Sequence, residues 1–277
     1  MQTVRSRDGV EIAYWTSGSG PDLVLVHGSS ADHTRWGPVM AAFEQYFTVS
    51  AMDRRGRGGS GDALAYSLEA EFEDVAAVCD ALDGPVYLIG HSFGALCCLE
   101  AALRTGNLAG LVLYEPPTQA EGYDPSDVVR RMNDLLEQDD REGVLTILFR
   151  EVVGTSEGGL QALKADPSWR ARLAGAHTIP REFADAEYVL DPSRFSGMTT
   201  PTLLLLVSES PPFLKSSTGA VAAALPNSQV VALEGQGHVA ITTAPQLFSS
   251  EVIGFLRRSL HSRDAARVGV IGSRDAA

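Results

Sequence analysis

The chain has 277 residues, of which 44% are apolar and 21% charged, and it carries a formal net charge of −13. This length suits one large α/β domain or two small ones. The excess of acidic residues argues against binding to nucleic acid or to an anionic membrane surface, and more weakly against a polyanionic substrate, because like charges repel.

Three features of the sequence bear on the cellular compartment. Residues 1–15 carry charges throughout and lack the apolar segment of a signal peptide. The longest apolar run, around Leu203 to Val207, is far too short to cross a membrane. Cys79, Cys97 and Cys98 show no metal-ligand spacing and are typical of small buried residues in a reducing compartment. We therefore expect a cytoplasmic protein.

Short apolar runs alternate with helical patterns along most of the chain. Strands are predicted as a hairpin over 2–16 and as single runs at 23–26, 47–52, from 86, 111–114, 202–207 and 229–233. Helices are predicted at 36–45, 67–82, 95–103, 214–225 and 245–260. This alternation predicts an α/β protein with a doubly wound, mostly parallel sheet.

The pattern changes between residues 118 and 198. Helical patterns occupy 126–138, 141–153, 158–165, 168–176 and 181–189, without a convincing strand. The block follows a strand end, which is where ligands of parallel sheets bind. We expect residues 118–198 to form a helical lid over a core made of residues 1–117 and 199–260. Residues 261–277 have weak periodicity and are expected to form a flexible tail.

A Gly-X-Ser-X-Gly motif, Gly90 to Gly94, ends the strand that starts at Val86 and precedes a helical pattern. Two glycines allow a sharp strand-to-helix turn, because a side chain there would strike the adjoining backbones. Ser92 is then expected at the apex, with an exposed hydroxyl next to the free N–H groups of a helix start. This context predicts a nucleophilic serine rather than a simple helix cap.

Further motifs follow other predicted strands. They are His27-Gly28 followed by Trp36, Asp53-X-Arg55-Gly56-X-Gly58-X-Ser60, and Gly235-X-Gly237-His238 followed by Pro245. With these motifs, the chain resembles the α/β-hydrolase family over about residues 3–258. The resemblance implies a sheet of eight strands with the lid inserted after the sixth.

The resemblance also implies the parts of an acyl-transfer site. Ser92 is the expected nucleophile and His238 its base, because a serine hydroxyl is weakly nucleophilic at neutral pH. By position, the N–H groups of Ser29 and Phe93 are the expected oxyanion hole. Dehalogenases and epoxide hydrolases of the family carry Asp at the position of Ser92, so Ser92 favours an ester, lactone or thioester hydrolase. A non-hydrolytic cyclase or lyase, or a C–C bond hydrolase, is the alternative.

The acid of this site departs from the usual pattern. Most of the family carries Asp after the strand that follows the lid, but Ser210 holds that position here and Glu209 is displaced by one residue. Such a shift turns a side chain to the opposite face. Some relatives take a Glu from the end of the earlier strand, where Glu115 stands. We favour Glu115, with Glu209 as the alternative, and expect its carboxylate within about 3.2 Å of a ring nitrogen of His238.

The lid offers three candidate pocket residues, Trp169, His177 and Arg181. A single His or Arg on a short helix is more often a surface group. A lid over the site favours a small or medium, largely apolar substrate over a polymer.

No flavin, nicotinamide, haem or zinc motif is present, so neither a cofactor nor a metal is expected. The expected assembly is a monomer or a homodimer.

Overall fold

The computed structural model describes residues 1–118, 124–184 and 188–272. Within these residues, one sheet of eight strands runs through the protein in the order β1-β2-β4-β3-β5-β6-β7-β8. The strands are β1 (Gln2–Arg5), β2 (Glu11–Gly18), β3 (Asp22–Val26), β4 (Thr48–Met52), β5 (Val86–His91), β6 (Leu108–Tyr114), β7 (Thr202–Val207) and β8 (Ser228–Leu233).

The sheet is antiparallel at one edge and parallel elsewhere. β1 pairs with β2, and β2 with β4, in antiparallel register, whereas the strands from β4 to β8 are parallel. Every residue of β5 is buried, as expected for a strand with helices on both faces. The predicted doubly wound, mostly parallel sheet of eight strands is confirmed. It places the carboxyl end of β5, and with it Ser92, between β3 and β6.

Helices cover both faces of the sheet. The helices are α1 (Gly37–Phe43), α2 (Leu68–Asp80), α3 (Phe93–Ala101), α4 (Ser126–Glu137), α5 (Arg141–Ile147), α6 (Glu157–Ala165), α7 (Trp169–Gly175), α8 (Ile179–Ala184), α9 (Pro212–Ala224), α10 (Ala240–Thr243) and α11 (Pro245–Gly272). Successive strand residues point to opposite faces. Leu23 and Leu25 therefore pack in the cluster with α1 and α11, and Val24 and Val26 in the cluster with α2, α3 and α9.

Helices α4 to α8 lie between β6 and β7, and we call this segment the helical insertion. They build an apolar cluster of their own, which includes Met132, Leu145, Leu148, Trp169 and Ile179. Helix α8 begins at Ile179, two residues before the predicted start at 181. Residues 119–123 and 185–187 of the predicted lid lie outside the described residues.

The last helix is longer than predicted. Helix α11 runs from Pro245 to Gly272, whereas the sequence pattern placed its end at 260. No proline occurs after Pro245, and Ala and Arg, which are favourable in helices, recur beyond His261. Weak amphipathic periodicity therefore did not mark a helix end. Residues 273–277 of the predicted tail lie outside the described residues.

The described residues contain neither a candidate membrane-spanning helix nor a candidate metal cluster. None of the helices there is long and apolar enough to cross a membrane. No group of three or more His, Cys, Asp or Glu in the same ranges is arranged to hold a metal ion. The three cysteines are free and buried.

Candidate active site

Ser92 occupies a sharp turn between β5 and α3. Its backbone has φ 55° and ψ −127°, a strained conformation for a residue other than glycine. The flanking glycines are required by space. A Cβ on Gly90 would lie 2.4 Å from the Ala95 Cα, and one on Gly94 would lie 2.4 Å from the His27 carbonyl oxygen. The turn therefore has the geometry of a nucleophile elbow.

The loop after β3 lies directly against this turn. A Cβ on Gly28 would lie 2.9 Å from the Ser92 Cβ, so the loop approaches closely only because Gly28 lacks one. The next residue, Ser29, is half-buried, and its hydroxyl donates to Glu182 of α8. Phe93 is the first residue of α3, where an N–H group has no acceptor within the helix. Phe93 follows Ser92 directly and Ser29 follows Gly28, and the role of both residues as an oxyanion hole stays a prediction.

The ring of His238 contacts Glu115. The His238 Nδ1 atom lies 2.6 Å from Glu115 Oε2, which is the contact expected for this pair. A carboxylate accepts hydrogen bonds, so the shared proton is on Nδ1 and Nε2 is left as the basic nitrogen. Glu115 is fully buried, and it also accepts from the backbone N–H of Val207 at 3.2 Å and from the Ser210 hydroxyl at 2.7 Å. These donors hold the carboxylate in place beside the imidazole.

Ser210 accounts for the departure from the usual acid position. It stands where the resemblance implies an Asp, and its hydroxyl donates to Glu115. Glu209 is exposed, and its backbone N–H donates to the carbonyl oxygen of Gln236 at 2.9 Å. Within the described part of the chain, the carboxylate in contact with His238 is that of Glu115.

The His238 loop is held from two sides. The Tyr114 hydroxyl donates to the Gly237 carbonyl oxygen at 3.0 Å and accepts from the Ala240 N–H at 3.1 Å. The Nε2–H of His91 donates to the His238 carbonyl oxygen at 2.9 Å. Burial, followed by the charges of His238 and Arg35, lowers the pKa of His91 well below its usual range, so that ring stays neutral. The elbow and the histidine loop are thus joined by residues of β5 and β6.

The sequence analysis did not predict a set of four buried charged side chains near the elbow. We call Arg54, Arg57, Glu71 and Glu182 the neutralised cluster. Arg54 donates to Glu71 at 2.7 and 3.0 Å and to Glu182 at 2.8 Å, and Arg57 donates to Glu182. All four side chains are at most 2% exposed. Two guanidinium and two carboxylate groups therefore balance each other in the interior.

The neutralised cluster contacts both residues predicted for the oxyanion hole. Glu182 accepts from the Ser29 hydroxyl, and the Arg54 guanidinium lies 4.4 Å from the centre of the Phe93 ring. Burial alone would raise the pKa of Glu182, but Arg54 and Arg57 outweigh burial and lower it. The motif around Asp53 suggested only a fixed loop, because its arginines carry no sign of a partner as distant in sequence as α8.

The three candidate pocket residues of the insertion occupy different places. Trp169 is buried in the insertion's own core against Phe149. His177 is exposed, and its Nδ1 lies 3.1 Å from a carbonyl oxygen of its own helical segment. Arg181 forms an ion pair with Asp62 at 2.8 Å and stacks on Tyr66. That these residues face a substrate stays a prediction, and their contacts within the protein do not support it.

Comparison with known proteins agrees with this geometry. The model of the alpha/beta hydrolase family matches residues 23–251. A crystal structure of an α/β hydrolase from Sphaerobacter thermophilus is 34% identical, with a TM-score of 0.81 over 92% of this chain and 99% of that one. An esterase structure from Thermogutta terrifontis is 24% identical, with a TM-score of 0.72 over 93% of this chain and 98% of that one.

A curated relative comes from Acinetobacter baylyi and is named an (E)-2-((N-methylformamido)methylene)succinate hydrolase. It is 26% identical over 239 residues, which are 84% of this chain and 89% of the relative. A sheet of this topology with a strained Ser92 at the central strand end defines an α/β-hydrolase fold. Since the family model matches most of the chain, the protein belongs to the α/β-hydrolase family.

Proposed function

We propose that the protein is a serine hydrolase of small or medium ester-like substrates: esters, lactones or thioesters. Ser92 Oγ attacks the substrate carbonyl carbon while His238 Nε2 takes the hydroxyl proton. The N–H groups of Ser29 and Phe93 donate to the oxygen that becomes negative. His238 then returns the proton to the leaving group, which departs and leaves an acyl group on Ser92.

Water completes the reaction. His238 removes a proton from a water molecule, the hydroxide adds to the acyl carbon, and the carboxylic acid leaves as Ser92 regains its proton. Glu115 keeps the imidazole in the tautomer with the proton on Nδ1 and stabilises the imidazolium formed at each attack. The observation that carries the proposal is the 2.6 Å contact between His238 and Glu115, in a protein whose Ser92 occupies a strained elbow.

The helical insertion, residues 118–198, is proposed as the lid that supplies much of the acyl pocket. Its α8 reaches the loop after β3 through Glu182 and Ser29. Its α7 reaches the same loop through Arg172, which donates to Ser30 Oγ at 3.1 Å. These contacts support a lid that stays docked, with substrate entering beside it. Hydrolysis is also the activity named for the relative from Acinetobacter baylyi.

A fluorophosphonate probe tests the nucleophile, because such probes phosphonylate an activated serine hydroxyl. We expect one label per folded chain, located at Ser92 by peptide mass spectrometry. The Ser92→Ala variant should take up no label, whereas the matched Ser250→Ala variant, at an exposed serine of α11, should label as the wild type does. Persistent labelling of Ser92→Ala, or a folded wild type that never labels, would show that the assignment is wrong.

A panel of 4-nitrophenyl esters, lactones and thioesters tests the reaction itself. A mass increase of Ser92 by the acyl group, trapped by rapid acid quenching, is the expected result with a cleaved ester. If Ser92 labels with the probe but no substrate of the panel is cleaved, the same groups serve another reaction, such as that of a lyase or a C–C bond hydrolase. That outcome would overturn the hydrolase proposal while leaving the nucleophile in place.

A further inference from the structure

Two arginines, the buried Arg172 and the half-buried Arg35, lie next to the proposed site without a carboxylate partner among the described residues. Arg172 of α7 is 8% exposed. Its Nη1 donates to Ser30, to the carbonyl oxygen at 3.2 Å and to the hydroxyl at 3.1 Å, and its Nε donates to Ser168 Oγ at 3.3 Å. All of these acceptors are uncharged, so the guanidinium charge of Arg172 is not balanced by its hydrogen-bond partners.

Arg35 is the second of these residues. It precedes the buried Trp36, and its Nη1 donates to the hydroxyl of Thr242 on α10. Its Nη2 atom is buried and has no hydrogen-bond partner among the described residues. A buried donor without a partner is costly, and more so on a charged group. Arg35 Nη2 therefore carries N–H groups that no described group of the protein accepts.

Each guanidinium group forms hydrogen bonds to a segment close to Ser92 or His238. Arg172 is held by Ser30, which follows Ser29 in the loop that touches the elbow. Arg35 is held by α10, which begins directly after the His238 loop. Their charges also reach the active-site side of the sheet, because both lower the pKa of His91, the ring next to His238.

The carboxylates that attract this pair are engaged elsewhere. Asp166 is exposed and accepts from the Ser168 N–H at 2.8 Å, and Asp32 accepts from the Thr34 N–H at 2.9 Å. In the described ranges, neither carboxylate forms an ion pair with Arg35 or Arg172. Burial, followed by repulsion from Arg172, lowers the pKa of Arg35 to about 10, which leaves Arg35 cationic at neutral pH. Burial also lowers the pKa of Arg172, against the attraction of Asp166 and Asp32.

We propose that Arg35 and Arg172 form a carboxylate-binding subsite, and that the natural substrate is an ester-like compound that bears a free carboxylate some distance from the scissile carbonyl. This inference rests on the proposed hydrolase activity, since it names the substrate class of that site. Guanidinium groups bind carboxylates through short, charge-assisted hydrogen bonds. The chain as a whole carries a formal net charge of −13, so selection of an anion requires a local group of positive charges of this kind.

Matched pairs of esters give the test. The 4-nitrophenyl half-esters of adipic, pimelic and suberic acid are each compared with the counterpart in which a methyl group replaces the free carboxylate. For at least one pair, wild type should prefer the half-ester in kcat/KM. Arg172→Gln and Arg35→Gln should each lower that preference by about 10- to 100-fold, because a charge-assisted contact is lost.

Two further variants control the experiment. Arg170→Gln removes a charge from an exposed position of the same helix and should leave the preference unchanged. Arg172→Lys keeps the charge but not the forked geometry, and it should retain part of the preference if Arg172→Gln fails to fold. Circular dichroism and thermal melting check the folding of each variant. If the arginine variants change the preference no more than Arg170→Gln does, the subsite is absent, although hydrolysis stands.

A binding readout separates this inference from the hydrolase proposal. If wild type cleaves no ester of these pairs and no substrate of the wider panel, the hydrolase proposal fails, and adipate dianion is then titrated into the protein at constant ionic strength. Adipate should raise the melting temperature of wild type and of Arg170→Gln, and should not raise that of Arg172→Gln or Arg35→Gln. Equal shifts in all four proteins, or no shift in wild type, would overturn the subsite.

Discussion

Two groups of buried or half-buried arginines lie near the loops around Ser92, and they differ in what balances their charge. In the neutralised cluster, Arg54 and Arg57 meet Glu71 and Glu182 at hydrogen-bond distance. The hydrogen bonds of Arg35 and Arg172, in contrast, go to hydroxyl and carbonyl oxygens, and Arg172 also lies 5.6 Å from the centre of the Phe149 ring; one nitrogen of Arg35 has no hydrogen-bond partner in the described ranges. Arg54 Nη1 likewise has no hydrogen-bond partner among the described residues, so the difference between the groups is that only the first has carboxylates at hydrogen-bond distance.

This difference separates stability from function. Burying an ion costs several kcal/mol, and a partner of opposite charge offsets that cost. Each ion of the neutralised cluster has a partner of opposite charge within the cluster. The expected role of the cluster is therefore to join the helical insertion to the elbow. Among the described residues, Arg35 and Arg172 have no carboxylate partner, so an anionic substrate group is the expected source of the missing charge.

The largest expected change in stability comes from breaking the neutralised cluster. Glu182→Gln leaves two buried guanidinium groups with Glu71 as the remaining anion, and we expect a loss of about 3–5 kcal/mol in the free energy of unfolding. Arg172→Gln should lose about 1 kcal/mol or less, because it removes a buried charge that has no carboxylate partner.

Urea unfolding at neutral pH measures both changes. Glu137→Gln, at an exposed position of α4, is the control for a glutamate without buried partners, and it should unfold as the wild type does. Equal losses of unfolding free energy in Glu182→Gln and Arg172→Gln would show that the two groups of arginines do not differ in their contribution to stability.

A smaller effect concerns the pH dependence of the neutralised cluster. The folded-state pKa of Glu182 lies below the ordinary value of 4.5, because Arg54 and Arg57 outweigh the effect of burial. The ionised form therefore contributes stability above pH 4.5, and this contribution is lost as the pH falls through the lowered folded-state pKa. The difference in unfolding free energy between wild type and Glu182→Gln should stay constant above pH 4.5 and shrink as the pH falls further.

Urea unfolding of both proteins at a series of pH values between about 7 and 3 measures this gap. A gap that widens on acidification would mean that Glu182 is not held ionised by the two arginines. Glu137→Gln again serves as the control, since its gap to wild type should remain close to zero throughout.

The sheet and the elbow could be predicted from sequence because their signals are local. Apolar runs mark β3 and β5, and the spacing of Gly90, Ser92 and Gly94 reports a turn in which a Cβ would collide with backbone. The end of α11 could not be predicted, because the helix continues beyond its amphipathic pattern. A weak pattern alone does not show where a helix ends.

The arginines could not be predicted because their partners are distant in sequence. Glu182 meets Arg54 only through the docking of α8, and the pattern had placed that helix two residues late. Arg172 belongs to a helix whose pattern does not show which polar residues point inward. The acid of the site, Glu115 or Glu209, could be predicted in part. Sequence placed both near strand ends, and the coordinates show which one contacts His238.

The central claim is that Glu115 orients His238 for attack by Ser92, and the turnover of two matched variants tests it most directly. Glu115→Gln keeps the shape of the side chain but removes the charge that favours the Nδ1–H tautomer and the imidazolium. We expect kcat for a cleaved ester to fall by about four orders of magnitude, as for the equivalent change in serine proteases.

Glu209→Gln removes the same charge from the exposed neighbour and should change kcat by less than about threefold, since exposed charges are screened by solvent. Both variants should give wild-type circular dichroism. Equal turnover of the two variants, or a larger loss in Glu209→Gln, would contradict the claim and make Glu209 the acid of this site.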